Sequence, residues 1–313
     1  MSKKYTNNRN MSSSLRDAII AFASEYDKVG WKSVTTLIDA PRAQILAERH
    51  ADEVTEDVSD LIWIFFGNMG HLIAERNAAV GAMAEQRFTE VVEGKQISFK
   101  PDLLLPIENR PGYWSLHDFK VTSVYVLKAA VNESKAKLEW ERQLNVYAYL
   151  LGLVGIKVAE IKLEIIGRDW RQGESMREPN YPSSQFHALK VRMWPEDEVE
   201  KYLIERINIY KDCEDLPDKD LPKCTESERW ADPNRWAIVK SAGKVGVSGY
   251  KKALPRASAF TSRTDALTFL SSRKDHQDLE VEYRQGESRR CERGYCKVAQ
   301  FCSQFLEDIK PAF

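Results

Sequence analysis

The chain has 313 residues, 43% of them hydrophobic, which suits one large domain or a domain with an appendage. Its 46 basic and 47 acidic residues leave a net charge of −1, so any nucleic-acid surface must be local rather than a property of the whole molecule. No apolar run is long enough to span a bilayer, and the polar stretch from Met1 to Ser14 has no signal-peptide core, which points to a soluble, cytoplasmic protein.

Ser12, Ser13 and Ser14 cap a first helix whose apolar side carries Leu15, Ile19, Ile20, Phe22 and Ala23. A second helix follows Pro41 with Arg42, Ile45, Leu46 and His50. Asp57 or Ser59 opens a third, holding Ile62, Ile64, Phe65, Met69, Leu72 and Ile73. His71 lies on it, with Glu75 four residues on and on the same face, positions that packing or an exposed pair would also explain. Gly67 and Gly70 weaken this helix and predict the close approach of another backbone.

After Gly81 the pattern turns to strands: Glu85 to Val92, then Ile97 to Leu105, then Tyr113 to Lys120. Turn residues from Pro106 to Gly112 join the last two as a hairpin. Asp102 falls on one arm, and Asp118 and Lys120, two apart, share a face of the other. Two converging carboxylates repel and call for a cation, and hard oxygen ligands suit Mg²⁺ or Mn²⁺. A neighbouring lysine can orient an attacking water and stabilise developing charge. Asp-x-Lys by itself is common and reads as a solvated strand face; its surroundings carry the argument.

A helix from about Ser134 to Leu151 places Gln143 and Tyr147 one turn apart, a spacing that core packing also produces. Val158 to Ile166 reads as a strand, Phe186 to Val191 as a shorter one, and Pro195 opens a helix through Ile209. All five cysteines come late: Cys213, Cys224, Cys291, Cys296 and Cys302. In a reducing compartment such a group reads as metal ligands rather than disulfides. The stretch from Pro233 to Thr264 has no acidic residue and contains Arg235, Lys240, Lys244, Lys251, Lys252, Arg256 and Arg263 among glycines, with Tyr250 and Phe260. It reads equally as a mobile arm for phosphates and as a solvated surface loop.

The ordered set His71, Asp102, Asp118-Phe119-Lys120 and Gln143-Leu144-Asn145-Val146-Tyr147 resembles the signature of the RecB/AddB-like branch of the PD-(D/E)XK nuclease superfamily. The likeness extends to phage-encoded nucleases of this branch and to CRISPR-associated exonucleases, and covers roughly residues 60 to 170 plus the cysteine tail. It implies an α/β, restriction-endonuclease-like core, a central mixed sheet flanked by helices. N-terminal helices would occupy residues 1–55, the nuclease core 56–212, and a cysteine-stapled C-terminal region 213–313. It further implies that His71, Asp102, Asp118 and the Phe119 carbonyl hold Mg²⁺ or Mn²⁺ and that Lys120 positions the water. Gln143 and Tyr147 would hold DNA or the supporting geometry, and Glu85 would look toward the site.

Members of the branch carry three C-terminal cysteines that join a distant one around a [4Fe–4S] cluster. Here Cys291, Cys296 and Cys302 match in kind, although the gap between the first two is wider than the branch's and no cysteine precedes the core. Cys224, in what reads as an ordered turn before Trp230, is favoured over Cys213 as the fourth ligand, with structural Zn²⁺ as the alternative centre. The resemblance thus implies a metal-dependent deoxyribonuclease, an exonuclease acting on DNA ends or single strands. Replication or recombination proteins would be its partners, in the host cytoplasm if the chain is phage-encoded. Two other classes stand beside it: a catalytically weak DNA-binding or recombination partner with a structural metal centre, and a zinc-stapled interaction protein with coincidental carboxylates.

Overall fold

The computed structural model describes residues 4–24, 29–246, 249–255, 257 and 259–308, a mixed α/β architecture with several sheets flanked by helices. The side chain of Ile73 and the whole of Arg256 lie outside the described residues. The chain divides into two compact units, Met1–Leu221 and Pro222–Phe313. No helix among the described residues is long and apolar enough to cross a membrane.

In the first unit, α1 (Ser13–Ser24), α2 (Pro41–Arg49, with Pro41 in its first turn) and α3 (Ile62–Arg76) precede the sheets. Asp57 caps the short 3₁₀ turn that leads into α3, its side chain accepting from the Ser59 amide. Five strands form the central sheet: β1 (Met83–Ala84), β4 (Leu103–Pro106), β5 (Tyr113–Thr122), β6 (Lys157–Gly167) and β7 (Phe186–Val191), in spatial order β7-β6-β5-β4-β1. Only the β5/β6 pair is parallel. Between β1 and β4 the chain makes β2 (Phe88–Val92) and β3 (Lys95–Phe99), which belong to a separate three-stranded sheet with Lys32–Ser33.

The expected continuous strand from Ile97 to Leu105 is therefore two strands in two sheets. Pro101 has no amide hydrogen for a ladder, so the chain leaves one sheet at Phe99 and re-enters the other at Leu103. Asp102 sits in that bend rather than within a strand. The expected strand from Glu85 is shortened to Phe88, because Glu85 itself takes a left-handed backbone (φ 50°).

After β5 the chain forms α4 (Val124–Glu133), a helix the sequence pattern did not suggest. Its run Val124-Tyr125-Val126 has strand propensity, but the Asp169 carboxylate accepts from the Val124 amide at 2.6 Å and fixes the helix start. Ser134 in a left-handed conformation ends it, so the next helix, α5, spans Leu138–Leu153 and starts later than expected. Leu144, Leu150 and Leu151 of α5 are buried, as are Leu104, Leu116, Ile161, Leu163 and Ile165 of the sheet. The helix α6 (Glu196–Cys213) closes this unit, running one turn beyond Ile209.

Residues 214–221 stay with the first unit. Arg49 bonds the Leu216 carbonyl and Asp218, His50 Nε2 lies 2.7 Å from Asp218, and buried Arg42 reaches the Asp218 and Leu221 carbonyls. That is why the chain divides after Leu221, nine residues beyond the position expected from the sequence.

In the second unit β8 (Arg235–Lys240) pairs antiparallel with β9 (Leu279–Arg284), covered by α7 (Arg263–Ser271). Ile238, Ala257, Ala266 and Leu279 form its core, with Leu254 and Phe260 packed against them. Much of the acid-free stretch is thus structural rather than a loose arm. Arg235 and Lys240 are strand residues, and Lys251 bonds the Ser241 carbonyl and Glu280.

Candidate metal centre

Three elements bring the candidate ligands together. Helix α3 supplies His71, the turn after β1 supplies Glu85, and the bend before β4 supplies Asp102. His71 Nδ1 lies 3.0 Å from Glu85 Oε1 and 3.5 Å from Asp102 Oδ2. One ligand atom from each of the three falls within 4.8 Å of the others, the sole such trio of His, Cys, Asp or Glu among the described residues. The Glu85 amide donates to the Asp102 carbonyl at 3.0 Å, which ties the two carboxylate-bearing segments to one another. A left-handed backbone is uncommon for glutamate, and such strain collects where a side chain must be aimed. The ammonium of Lys100 pairs with Glu85 Oε2.

Asp118 and Lys120 stand on β5, the strand hydrogen-bonded to β4. Alternation puts Asp118 on the same face as fully buried Leu116, and Asp118 itself is only 1% exposed. Lys120 Nζ lies 2.7 Å from Asp118 Oδ2, while Asp118 Oδ1 takes no hydrogen bond among the described residues. Phe119 contributes through its amide, which donates to Asp102 Oδ2 at 2.7 Å, and its ring packs edge-on against His71. The trio within one ion's reach is therefore His71, Glu85 and Asp102. Asp118 is its electrostatic neighbour and lies outside the trio, and Phe119 meets Asp102 through its amide.

The titration behaviour follows from this crowding. Burial, and then the Asp118 charge, push the Asp102 carboxyl up to about 7. The hydrogen bond to Glu85 raises His71, against the lowering effect of burial. For Glu85, burial is the largest influence and pushes upward, but the bonds to His71 and Lys100 outweigh it and leave the carboxyl below its usual range. A buried carboxylate oxygen with no donor, beside a second carboxylate held far above its usual range, fits a site that receives a hard divalent cation.

On α5, Gln143 Nε2 donates to the Tyr147 hydroxyl at 3.1 Å. The buried Tyr147 ring lies 6.0 Å from Phe99, next in sequence to Lys100. The pair faces inward, tied to the segment that leads into the Asp102 bend.

Two arrangements differ from the sequence pattern, one contradicting an expectation and one without a counterpart in it. Gly67 and Gly70 approach no other backbone: a Cβ at either would meet nothing within 4 Å. On the opposite face of β5 from Asp118, Ser115 Oγ lies 2.9 Å from His117 Nε2, whose Nδ1 lies 2.7 Å from Glu164. Ser115 and His117 are both buried, so this chain of bonds fastens β5 to β6 rather than presenting a nucleophile. The β5/β6 register, with Ser115 opposite Glu160 and Phe119 opposite Glu164, could have suggested it only once the strands were paired.

In the second unit, Cys224 precedes the turn Thr225–Trp230, and Cys291, Cys296 and Cys302 occupy the tail. Burial pushes the Cys224 thiol up to about 12, and Glu228, Cys302 and Cys296 push in the same direction. Burial, then Cys296 and Cys302, push Cys291 up to about 11. These four thiols are electrostatic neighbours, whereas buried Cys213 ends α6 in the first unit. Gln304 fastens the Cys224 segment to the tail, accepting from the Cys224 amide at 2.8 Å and donating to its carbonyl at 3.0 Å.

No family model matches the chain, and no curated protein matches it. A solved structure described as "Crystal structure of SSO0001" is similar at a TM-score of 0.39 and 16% identity, covering 62% of this chain and 84% of that one. A likeness of that size carries no argument about fold or activity.

Proposed function

We propose that the chain is a metal-dependent deoxyribonuclease of the RecB/AddB-like PD-(D/E)XK type, most simply an exonuclease. The observation that carries the reading is the convergence of His71, Glu85 and Asp102 beside the buried Asp118–Lys120 pair. His71, Glu85 and Asp102 would hold Mg²⁺ or Mn²⁺, with Asp118 adding negative charge behind them. Bound there, a divalent ion would supply Lewis acidity at a phosphoryl oxygen and a lowered pKa for water. The chain's own residues do the rest. Lys120, held by Asp118, orients the water and faces the charge that builds on the phosphate. Lys100 holds Glu85, and the Phe119 amide holds Asp102 in the orientation it shows. Gln143 and Tyr147 brace the adjoining segment through Phe99.

The four thiols of the second unit, electrostatic neighbours of one another, would hold a [4Fe–4S] cluster, the centre the family likeness favours, with structural Zn²⁺ as the alternative. The centre would staple the strap after Pro222 to the C-terminal tail, stabilising that unit rather than joining the chemistry.

The test is digestion of end-labelled DNA with Mg²⁺ or Mn²⁺, against EDTA and against Asp118→Asn and Lys120→Ala. Metal-dependent cleavage lost in both variants supports the reading. Binding without cleavage would favour a DNA-binding protein that uses the site only as a ligand.

A further inference from the structure

Helix α3 buries one side and leaves another bare. Phe65 packs edge-on against Phe22 of α1 at 5.3 Å, and Asn68 bonds the Phe22 carbonyl. Trp63, Phe66, Gly67 and Gly70, at i, i+3, i+4 and i+7, form a different stripe. Trp63 is 55% and Phe66 49% exposed, with ring centroids 6.1 Å apart. Large aromatics left in water beside one another call for an occupant.

The Arg168 guanidinium sits over the Trp63 ring, 4.2 Å from its centroid, and pairs with no carboxylate among the described residues. Arg168 is fixed at the site end of β5, its amide donating at 2.8 Å to the carbonyl of Thr122, two residues beyond Lys120. From Trp63 to His71 is eight residues of one helix, about 12 Å along its axis. Between them Gly67 and Gly70 carry no side chain, and a Cβ at either would meet nothing within 4 Å, so the helix surface is open at both positions.

We propose that Trp63, Phe66 and Arg168 form a stacking subsite that holds unpaired nucleotides and leads the strand over the open glycines to the metal centre. The inference rests on the nuclease reading for the strand's destination, but the subsite stands on its own residues. Aromatic faces take up bases only when those bases are free of a paired and stacked partner, and the unpaired guanidinium complements a phosphate. An unpaired strand therefore fits where a duplex, which hides its base faces, does not.

The experiment uses the full chain in EDTA with fluorescein-labelled oligothymidylate and a duplex of equal length, read by anisotropy. Trp63→Ala and Arg168→Ala should each weaken single-strand binding roughly tenfold, Trp63→Phe should keep most of it, and duplex binding should change little. The side chains are exposed, so the variants fold. Single-strand affinity unchanged in the Trp63→Ala/Arg168→Ala double variant, or duplex affinity falling equally, overturns the subsite. A parallel digestion with Mg²⁺ separates the two claims. Wild-type protein that binds through Trp63 but cleaves nothing leaves the subsite standing and removes the nuclease reading. Wild-type cleavage with a double variant that digests single strands at the wild-type KM removes the subsite and leaves that reading in place.

Discussion

Replacing Asp102 by Asn should stabilise the metal-free protein at alkaline pH. In the folded chain the Asp102 carboxyl is raised from 3.8 to about 7, by burial first and the Asp118 charge second. The folded state therefore holds this proton more tightly than the unfolded chain does. Stability from this group is full below pH 3.8 and is lost as pH rises through about 7. At about 1.4 kcal/mol for each pH unit, the ionised form costs about 4 kcal/mol by pH 8 and under about 1 kcal/mol near pH 4. Asparagine carries no charge and keeps an oxygen for the Phe119 amide, so the loss should vanish in the variant. Urea unfolding in EDTA, followed by hydrogen exchange of the β5 amides, should show Asp102→Asn gaining on wild type from pH 4 to pH 8. Adding Mn²⁺ at pH 8 should close the gap from the wild-type side only, because a cation relieves a carboxylate and not an amide. A difference that stays flat with pH, or a variant less stable at pH 8, would refute the reasoning.

Lys120→Ala leaves Asp118 buried without its cation and should cost about 3 kcal/mol in metal-free urea unfolding, most of it restored in the Lys120→Ala/Asp118→Asn double variant. Cys224→Ser should release the metal of the second unit and loosen the tail, while Cys213→Ser should release none. Visible charge-transfer absorption with stoichiometric iron checks the cluster, and colourless protein with stoichiometric zinc contradicts it. Gln304→Ala removes both bonds to the Cys224 backbone and should lower the stability of the second unit by about 2 kcal/mol, seen as faster exchange of the Cys224 amide.

The sequence carried the strands with clean boundaries and lost those governed from a distance. Phe186–Val191 could be read to the residue because polar stretches flank an unbroken strand-forming run. The break at Pro101 was visible as a residue but not as a change of sheet, which depends on what Leu103 and Phe99 each pair with. Helix α4 was hidden because its start is fixed by Asp169, far along the chain. At the site, period-two spacing was enough to place Asp118 and Lys120 on one face. Glu85 had only the resemblance behind it, since the strained backbone that aims it is a tertiary feature with no local sequence mark. Gly67 and Gly70 were legible as helix-weakening residues, but the sequence could not show that they border open solvent rather than a neighbouring backbone.

The central claim, hydrolysis of a DNA phosphodiester by water at the His71–Glu85–Asp102 centre, is tested most directly by isotope transfer. Single-stranded DNA is incubated with the full chain and Mn²⁺ in ¹⁸O-enriched water, and the released nucleotides are weighed by mass spectrometry. One ¹⁸O atom in each newly formed phosphate, with release abolished by EDTA and by Asp102→Asn, is the predicted result. Release that persists in EDTA or in Asp102→Asn, or no release at all from folded, Mn²⁺-loaded protein, would contradict it.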